Sequence, residues 1–179
     1  MNSRGFSLKP FPQAGSLTAL DITGSVERYS NTLSISYLFF ARMDGILLPE
    51  PADKRTRKNG LWEETCFEFF LGVKGSDRYW EFNLSPSGHW NVYRFESYRQ
   101  GMLEEPAFES LPFSVQVRSD SLLVSLALEL DKIIQPELVL QVGISAVIKT
   151  TDGRTTYWAL THPGPQADFH LRDGFIIEP

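Results

Sequence analysis

The sequence predicts an all-β chain folded as a two-sheet antiparallel β-sandwich. Short segments in which apolar and polar residues alternate recur along the chain, and turn residues separate them at short intervals. A period of two puts successive side chains on opposite faces of a strand, and hairpin turns join neighbouring strands in antiparallel order. No stretch has the length and periodicity of a convincing helix. We expect one domain, residues 1–179, because domains usually hold roughly 100 to 200 residues.

The expected strands follow one another with turn signals between them. In chain order they are 17–26, 32–42, 65–72, 79–85, 90–98, 113–118, 122–129, 138–149, 155–160 and a short last one at 175–178. The turns between them are predicted at Ser30-Asn31, Gly75-Ser76-Asp77, Pro86-Ser87-Gly88, Ser119-Asp120 and Asp152-Gly153. A short helical turn is expected at 129–135, and a loop with a helical fragment at 98–108.

Residues 49–60 form the most polar connection in the chain. They place the four cations Lys54, Arg55, Arg57 and Lys58 within five positions, without an apolar anchor. This composition predicts an exposed, mobile loop. A functional alternative is that the loop forms one lip of a binding site and meets an anionic ligand, such as a phosphorylated or uronic sugar.

Charge and cysteine content exclude several classes of protein. The net charge of −5 provides no field that would attract DNA, RNA or an anionic membrane. The N-terminus does not resemble a secretion signal, and no apolar run approaches the roughly 18 residues of a membrane span. Cys66 is the one cysteine, so there is neither a disulfide framework nor a cysteine-based metal site, which fits a reducing cytoplasm. No sequence motif implies a cofactor or a bound metal.

A glutamate in the middle of an apolar strand is the first candidate for function. Alternation in 65–72 places Phe67, Phe69 and Leu71 on one face and Cys66, Glu68 and Phe70 on the other. A carboxylate with such neighbours is costly to desolvate, and strands are depleted in glutamate. Glu68 is therefore expected to face water, a partner or a ligand.

The following strand repeats this division between an apolar and a polar face. Trp80, Phe82 and Leu84 are expected to join the core, while Tyr79, Glu81 and Asn83 point the other way, beside Glu68. The strand 90–98 adds either Tyr93 or Arg94 to this polar face, and its alternation leaves both open.

Three segments carry a resemblance to a known family. They read WEETCFEF at 62–69, YWEFNLSPSG at 79–88 and ADFHLRDGF at 167–175, the last preceded by the aromatic pair Tyr157-Trp158. In this order they resemble family 9 carbohydrate-binding modules and the wider DOMON-like superfamily, from about residue 17 to the C-terminus. The resemblance implies a β-sandwich that binds a saccharide between two aromatic rings and does not catalyse a reaction.

The resemblance also implies roles for individual residues. Trp62 matches the first of the family's two stacking tryptophans, and Glu68 matches its ligand-binding glutamate. Phe169 stands in place of the second tryptophan and Glu81 in place of a strand arginine, so weaker binding is expected. The predicted ligand-binding residues are Trp62, Glu64, Glu68, Glu81, Asn83, Tyr93, Arg94, Trp158, Phe169 and His170.

Two other function classes remain as alternatives. A haem-binding or redox DOMON-type module would need axial ligands, for which Met43, Met102 and His89 offer no clear pair. A hydrolase could use Glu64 or Glu68 with Asp168 and His170. The sequence contains no nucleophile elbow, phosphate loop or zinc-protease motif that would favour this second alternative.

Overall fold

The computed structural model describes residues 3–12 and 20–179 and confirms a β-sandwich of two antiparallel sheets. Its strands are β1 Arg4–Ser7, β2 Lys9–Pro10, β3 Asp21–Tyr29, β4 Thr32–Phe40, β5 Cys66–Val73, β6 Tyr79–Leu84, β7 Trp90–Phe95, β8 Leu103–Glu104, β9 Phe113–Val117, β10 Ser121–Glu129, β11 Leu140–Lys149 and β12 Thr155–Ala159. One sheet has the order β1-β3-β4-β10-β9 and the other β2-β12-β11-β5-β6-β7-β8. Short 3-10 turns lie at Met43–Gly45, Leu61–Glu63 and Arg172–Gly174.

Most predicted strands lie within one to three residues of the observed ones. For the first of them, positions 17–19 lie outside the described residues, and its remaining part falls in β3. Sequence patterns missed β1, β2 and β8, which are too short to show alternation. The helical fragment predicted within 98–108 is wrong, because the paired residues there belong to β8. The predicted last strand at 175–178 is also wrong, since only Ile177 forms a bridge, to Val142.

The main core fills the space between the sheets. From β5 and β6 it takes the five predicted side chains Phe67, Phe69, Trp80, Phe82 and Leu84, all buried. The rings of Phe69 and Phe82 stack with centroids 4.4 Å apart. The other sheet contributes Ile22, Val26, Leu33, Ile35, Tyr37 and Phe39. Full burial of such side chains stabilises the fold by about 1.5 to 3 kcal/mol each.

A second, smaller cluster covers the outer face of the seven-stranded sheet. Residues 161–178, here called the C-terminal segment, cross this face and bring Phe175 against Phe70 and Tyr79, with ring centroids 5.5 and 5.8 Å away. Gly143 of β11 permits the approach, because a Cβ there would lie 2.8 Å from the Phe175 ring. Part of the outer face is therefore buried under the C-terminal segment, whereas strand alternation suggests an open polar surface.

The cationic loop 49–60 is anchored, which corrects the expectation of a mobile loop. Arg57 lies over the Trp90 ring, 4.6 Å from its centroid. It donates hydrogen bonds to the main-chain oxygens of Glu105 and Phe108, at 3.0 and 2.5 Å. Sequence patterns treat an arginine as a solvated charge, whereas its guanidinium can satisfy buried carbonyl groups.

Among the residues that the structure describes, no helix combines the length and apolar character required to cross a membrane.

Candidate functional site

A pocket of about 370 Å³ opens on the outer face of the seven-stranded sheet. The sheet forms its base, and the C-terminal segment and the loop after β7 form its sides. Its aromatic walls are Trp62, Phe95, Tyr157 and Phe169. Its polar lining is Glu68, Glu81, Arg99 and His170. The pocket falls within the size range of small-molecule sites, roughly 300 to 1,000 Å³.

Two carboxyl groups from adjacent strands form the floor of the pocket. Glu68 on β5 is 2% exposed and Glu81 on β6 is 5% exposed. Register pairs Glu68 with Asn83 and Glu81 with Phe70, so the two glutamates are diagonal neighbours on one face. Burial, followed by the charge of Glu81, raises the pKa of Glu68 well above its ordinary value. Burial raises the pKa of Glu81 to about 7.

Hydrogen bonds support these carboxyl groups only in part. Asn83 donates from its side-chain nitrogen to Glu81 Oε1 at 2.9 Å. Ser145 on β11 donates to Glu68 Oε2 at 3.4 Å, which is long for a hydroxyl donor. Glu68 Oε1 is buried and has no hydrogen-bond partner among the described residues. A buried polar atom of this kind calls for an explanation, such as a ligand or a bound water.

His170 closes the floor from the C-terminal segment. Its Nδ1 lies 2.8 Å from the Tyr79 hydroxyl oxygen, which also accepts a hydrogen bond from the main-chain N–H of Arg99 at 3.2 Å. In the tautomer with its proton on Nε2, His170 accepts from the Tyr79 hydroxyl at Nδ1, and its Nε2 lies 3.7 Å from Glu81 Oε2. Burial lowers the pKa of His170 to about 4, so the imidazole is neutral near pH 7.

An ion pair holds the C-terminal segment to the loop after β7. Arg99 donates to Asp168 Oδ1 at 2.9 Å, and the Tyr98 hydroxyl donates to Asp168 Oδ2. The main-chain N–H of His170 also donates to Asp168 Oδ1, at 3.0 Å. Hydrogen bonds from Tyr98 and Arg99 lower the pKa of Asp168 against the opposing effect of burial. The guanidinium of Arg99 and the carboxylate of Asp168 are therefore ion-paired with each other.

The aromatic walls come from four separate parts of the chain. Trp62 sits in the 3-10 turn after Gly60, whose φ of 71° is in the left-handed region that glycine tolerates. Its indole is 39% exposed and contacts the Tyr93 ring edge-on at 5.8 Å. Phe169 meets the Tyr157 ring at 6.2 Å. Trp62 and Tyr157 are thus each held by a contact with another ring while part of the side chain stays exposed.

The structure brings together five of the predicted site residues. Trp62, Glu68, Glu81, Phe169 and His170 all line the pocket. Two more support it without lining it. Asn83 does so through its hydrogen bond to Glu81. Tyr93, which donates to Asn59 Oδ1 at 2.7 Å, does so behind Trp62.

Three predicted residues lie elsewhere. Arg94 pairs in register with Trp80 and so belongs to the opposite face of the sheet, where its Nη1 lies 3.8 Å from Glu105. Trp158 is buried in the main core, with its indole N–H donating to Thr156 at 2.9 Å. Glu64 is exposed and lines a separate hollow beside the loop 49–60.

Sequence reasoning missed Phe95, Arg99, Met102, Val147, Tyr157 and Ala167 in the pocket lining. Tyr157 could have been found, because alternation puts it opposite Trp158 once Trp158 is assigned to the core. Arg99 and Met102 lie in a loop, where periodicity carries no information.

The residues considered for haem or metal binding are not brought together. Met102 lines the pocket, Met43 packs against the main core, and His89 lies 3.1 Å from the Thr56 hydroxyl. Within residues 3–12 and 20–179, no three His, Cys, Asp or Glu side chains form a group that could hold a metal ion.

Comparisons with known proteins place the fold. No protein-family model and no curated protein sequence matches the chain. A solved structure of a candidate carbohydrate-binding protein from Bacteroides uniformis is 10% identical, with a TM-score of 0.72 over 98% of this chain and 84% of that one. At this identity the likeness establishes the fold alone.

Two structures of a family 9 carbohydrate-binding module from Caldicellulosiruptor kristjanssonii are also similar, each 10% identical with a TM-score of 0.50 over 84% of this chain. One is a complex with cellotriose, in which this chain covers 70% of the module. The other is a complex with glucose, in which it covers 72%. The predicted resemblance to family 9 modules is thus confirmed at the level of the fold. The wider DOMON-like grouping stays a prediction.

Proposed function

We propose that this chain is a non-catalytic binding module whose pocket takes a saccharide or a similar small polar ligand. The observation that carries the proposal is the union of exposed aromatic rings and a polar floor in one cavity of about 370 Å³. Sugars present apolar C–H faces, which stack on rings, and a rim of hydroxyl groups, which exchange hydrogen bonds. Trp62 and Phe169 provide the rings, while Glu68 and His170 provide hydrogen-bonding groups.

The structural neighbours support the same ligand class. The family 9 module was solved with cellotriose and with glucose. The neighbours are named for binding and not for catalysis, which supports the non-catalytic part of the proposal.

Binding is expected to be weak. An aromatic contact adds on the order of 0.5 to 1.5 kcal/mol beyond area burial, and a partly exposed hydrogen bond adds about 1 kcal/mol. A dissociation constant between roughly 10 μM and several mM follows. Phe169 offers a smaller ring than tryptophan and has no N–H donor, which favours the weak end.

One observation favours a hydrolytic alternative, namely the two buried carboxyl groups, because such pairs serve as acid and base in glycosidases. The other members of that hypothesis are less suited to it. The Asp168 carboxylate is engaged by Arg99 and Tyr98, and the lowered pKa of His170, about 4, makes its imidazole a weak base. Turnover of nitrophenyl glycosides that is lost in Glu68→Gln would support catalysis over simple binding.

Calorimetric titration of the whole chain with glucose, cellobiose and cellotriose tests the proposal. Saturable binding of any of them, accompanied by a change in tryptophan fluorescence, is the expected result. The absence of binding by every sugar at concentrations of about 50 mM, roughly tenfold above the weakest expected dissociation constant, would overturn it.

A further inference from the structure

We infer that the ligand carries a positive charge at its inner end, and that the pocket is built for an amino sugar whose ammonium group meets Glu68 and Glu81. The inference rests on the proposed function and narrows it from saccharides in general to those with a free amine. The sugar ring would lie between the aromatic walls, with the ammonium group directed at the floor.

The first observation is the unsatisfied Glu68 carboxyl. Glu68 is one of the residues that line the pocket, and its Oε1 is buried and has no partner among the described residues. Its Oε2 has one distant donor, the Ser145 hydroxyl at 3.4 Å. A carboxylate offers about four acceptor positions, and one buried without donors is costly. An ammonium group brings three N–H donors into that space.

The second observation is the balance of charge around the floor. Cys66 and Tyr93 flank the carboxyl groups on the same sheet face, and the Tyr37 hydroxyl approaches the Glu68 main chain from the core side. None of these three carries a positive charge. Two carboxyl groups thus share a pocket in which none of the described lining residues that belong to the sheet is a cation.

Among the described residues that line the pocket, the only cationic candidates are Arg99 and His170, and both lie outside the sheet. Arg99 is paired with Asp168 at 2.9 Å and its charge also favours the ionised form of Glu81, while neutral His170 lies 3.7 Å from Glu81. Neither compensates Glu68. A cationic ligand would supply what the protein leaves out.

The third observation is the aromatic wall. Rings of Trp62, Phe95, Tyr157 and Phe169 surround the carboxyl groups. Aromatic faces attract cations electrostatically, and they also stack against the C–H face of a sugar ring. The same pocket therefore suits both the ammonium group and the ring of an amino sugar.

An anionic sugar fits the same pocket poorly. The cations of loop 49–60 suggested a phosphorylated or uronic ligand, but Arg57 is turned into the protein and stacks on Trp90. A carboxylate or phosphate at the floor would face two glutamates. The charge of such a ligand would be buried without an unpaired cation among the described lining residues, which is costly.

Binding of an ammonium group has a consequence for protons. Burial favours the neutral, protonated form of these glutamates in the free protein. When an amine that is already protonated docks, the ionised form becomes favourable and the carboxyl proton passes to the buffer. A neutral sugar requires no such transfer.

The test is calorimetry at about pH 6, where an amine is protonated, with glucosamine as the probe and glucose and N-acetylglucosamine as neutral matches. We expect glucosamine to bind about tenfold or more tightly than either match. Repeating the titration in buffers with different ionisation heats should show proton release for glucosamine and not for the neutral sugars.

Two variants separate the inference from the proposed function. Glu68→Gln keeps the shape of the side chain and should reduce the preference for glucosamine to about threefold or less. Glu64→Gln, outside the pocket, should keep the full preference. Equal binding of glucosamine and glucose by the wild type would overturn the inference and leave saccharide binding intact, whereas failure of all three sugars together with cellobiose and cellotriose would overturn both. Equally tight binding of ethanolamine, an ammonium without a ring, would overturn the amino-sugar assignment.

Discussion

The Tyr37 hydroxyl donates a hydrogen bond of 2.7 Å to the main-chain oxygen of Glu68. Tyr37 is on β4 of the five-stranded sheet, fully buried, and its ring contacts Phe67 edge-on at 5.2 Å. The hydrogen bond therefore crosses the core and ends on the strand whose opposite face carries the pocket floor. Core packing and the position of Glu68 are linked through this contact.

Tyr37→Phe removes this hydrogen bond and keeps the ring. We expect a loss of about 1 kcal/mol in the free energy of unfolding, because one buried hydrogen bond is removed and its acceptor stays buried. Urea denaturation measures the change. Tyr29→Phe, on a side chain that is 72% exposed, is the matched control and should have no effect. Equal stability of Tyr37→Phe and the wild type would show that the bond contributes nothing net.

Glu81→Gln should make stability less dependent on pH. Burial raises the pKa of Glu81 to about 7 in the folded protein from its ordinary value of 4.5. The folded state therefore holds this proton more tightly than the unfolded chain, and wild-type stability falls as pH rises through that interval. As the pH rises from 4.5 to 7, the free energy of unfolding of the variant should rise by on the order of 2 to 3 kcal/mol relative to that of the wild type.

His170 acts in the opposite direction on the same profile. Burial lowers its pKa from 6.5 to about 4, so its contribution to stability is lost as pH falls between those values. The contribution is common to wild type and variant and largely cancels in their difference. Denaturation midpoints from about pH 4 to pH 8 give that difference, with Glu64→Gln as the exposed control. A difference that does not change with pH would mean that Glu81 ionises freely in the folded protein.

Trp62→Ala should weaken sugar binding about tenfold or more, since it removes a stacking ring and its buried area. The fold should be little affected, because Trp62 is among the more exposed aromatic residues of the described chain. Calorimetric titration with the tightest sugar of the panel is the measurement, and Tyr29→Ala is a matched exposed control. Unchanged affinity in Trp62→Ala would place the ligand outside the pocket.

Arg57→Ala should destabilise the fold by about 2 to 3 kcal/mol, because it leaves the carbonyl oxygens of Glu105 and Phe108 without a donor. Arg57→Lys should recover only part of this loss, since an ammonium lacks the planar fork that also stacks on Trp90. Lys54→Ala, an exposed cation of the same loop, is the control. Thermal unfolding that ranks the three variants differently would restore the mobile-loop interpretation.

Much of the fold could be predicted because strand alternation is local information. The period of two in β5 and β6 is enough to divide Phe67 and Phe82 from Glu68 and Glu81. The same reasoning left Tyr93 and Arg94 undecided, because both faces of β7 carry polar and apolar residues. Pairing of Arg94 with Trp80 in the sheet decided between them.

The candidate site could be predicted only in part, because its sides come from residues far apart in the chain. Trp62, Glu68, Phe169 and His170 were found through motifs. Arg99 was not, since it lies in a loop without periodicity and its partner Asp168 is 69 positions away.

The sequence by itself determined the all-β class, the composition of the main core and the placement of two glutamates on one sheet face, since each follows from residue type and spacing. Only the tertiary structure decided that this face is covered. The C-terminal segment lies over β5 and β6 because Gly143 admits the Phe175 ring and because Asp168 binds Arg99. Desolvation by that cover turns two ordinary carboxyl groups into a buried pair with raised pKa values, and such an environment depends on contacts that spacing along a chain does not encode.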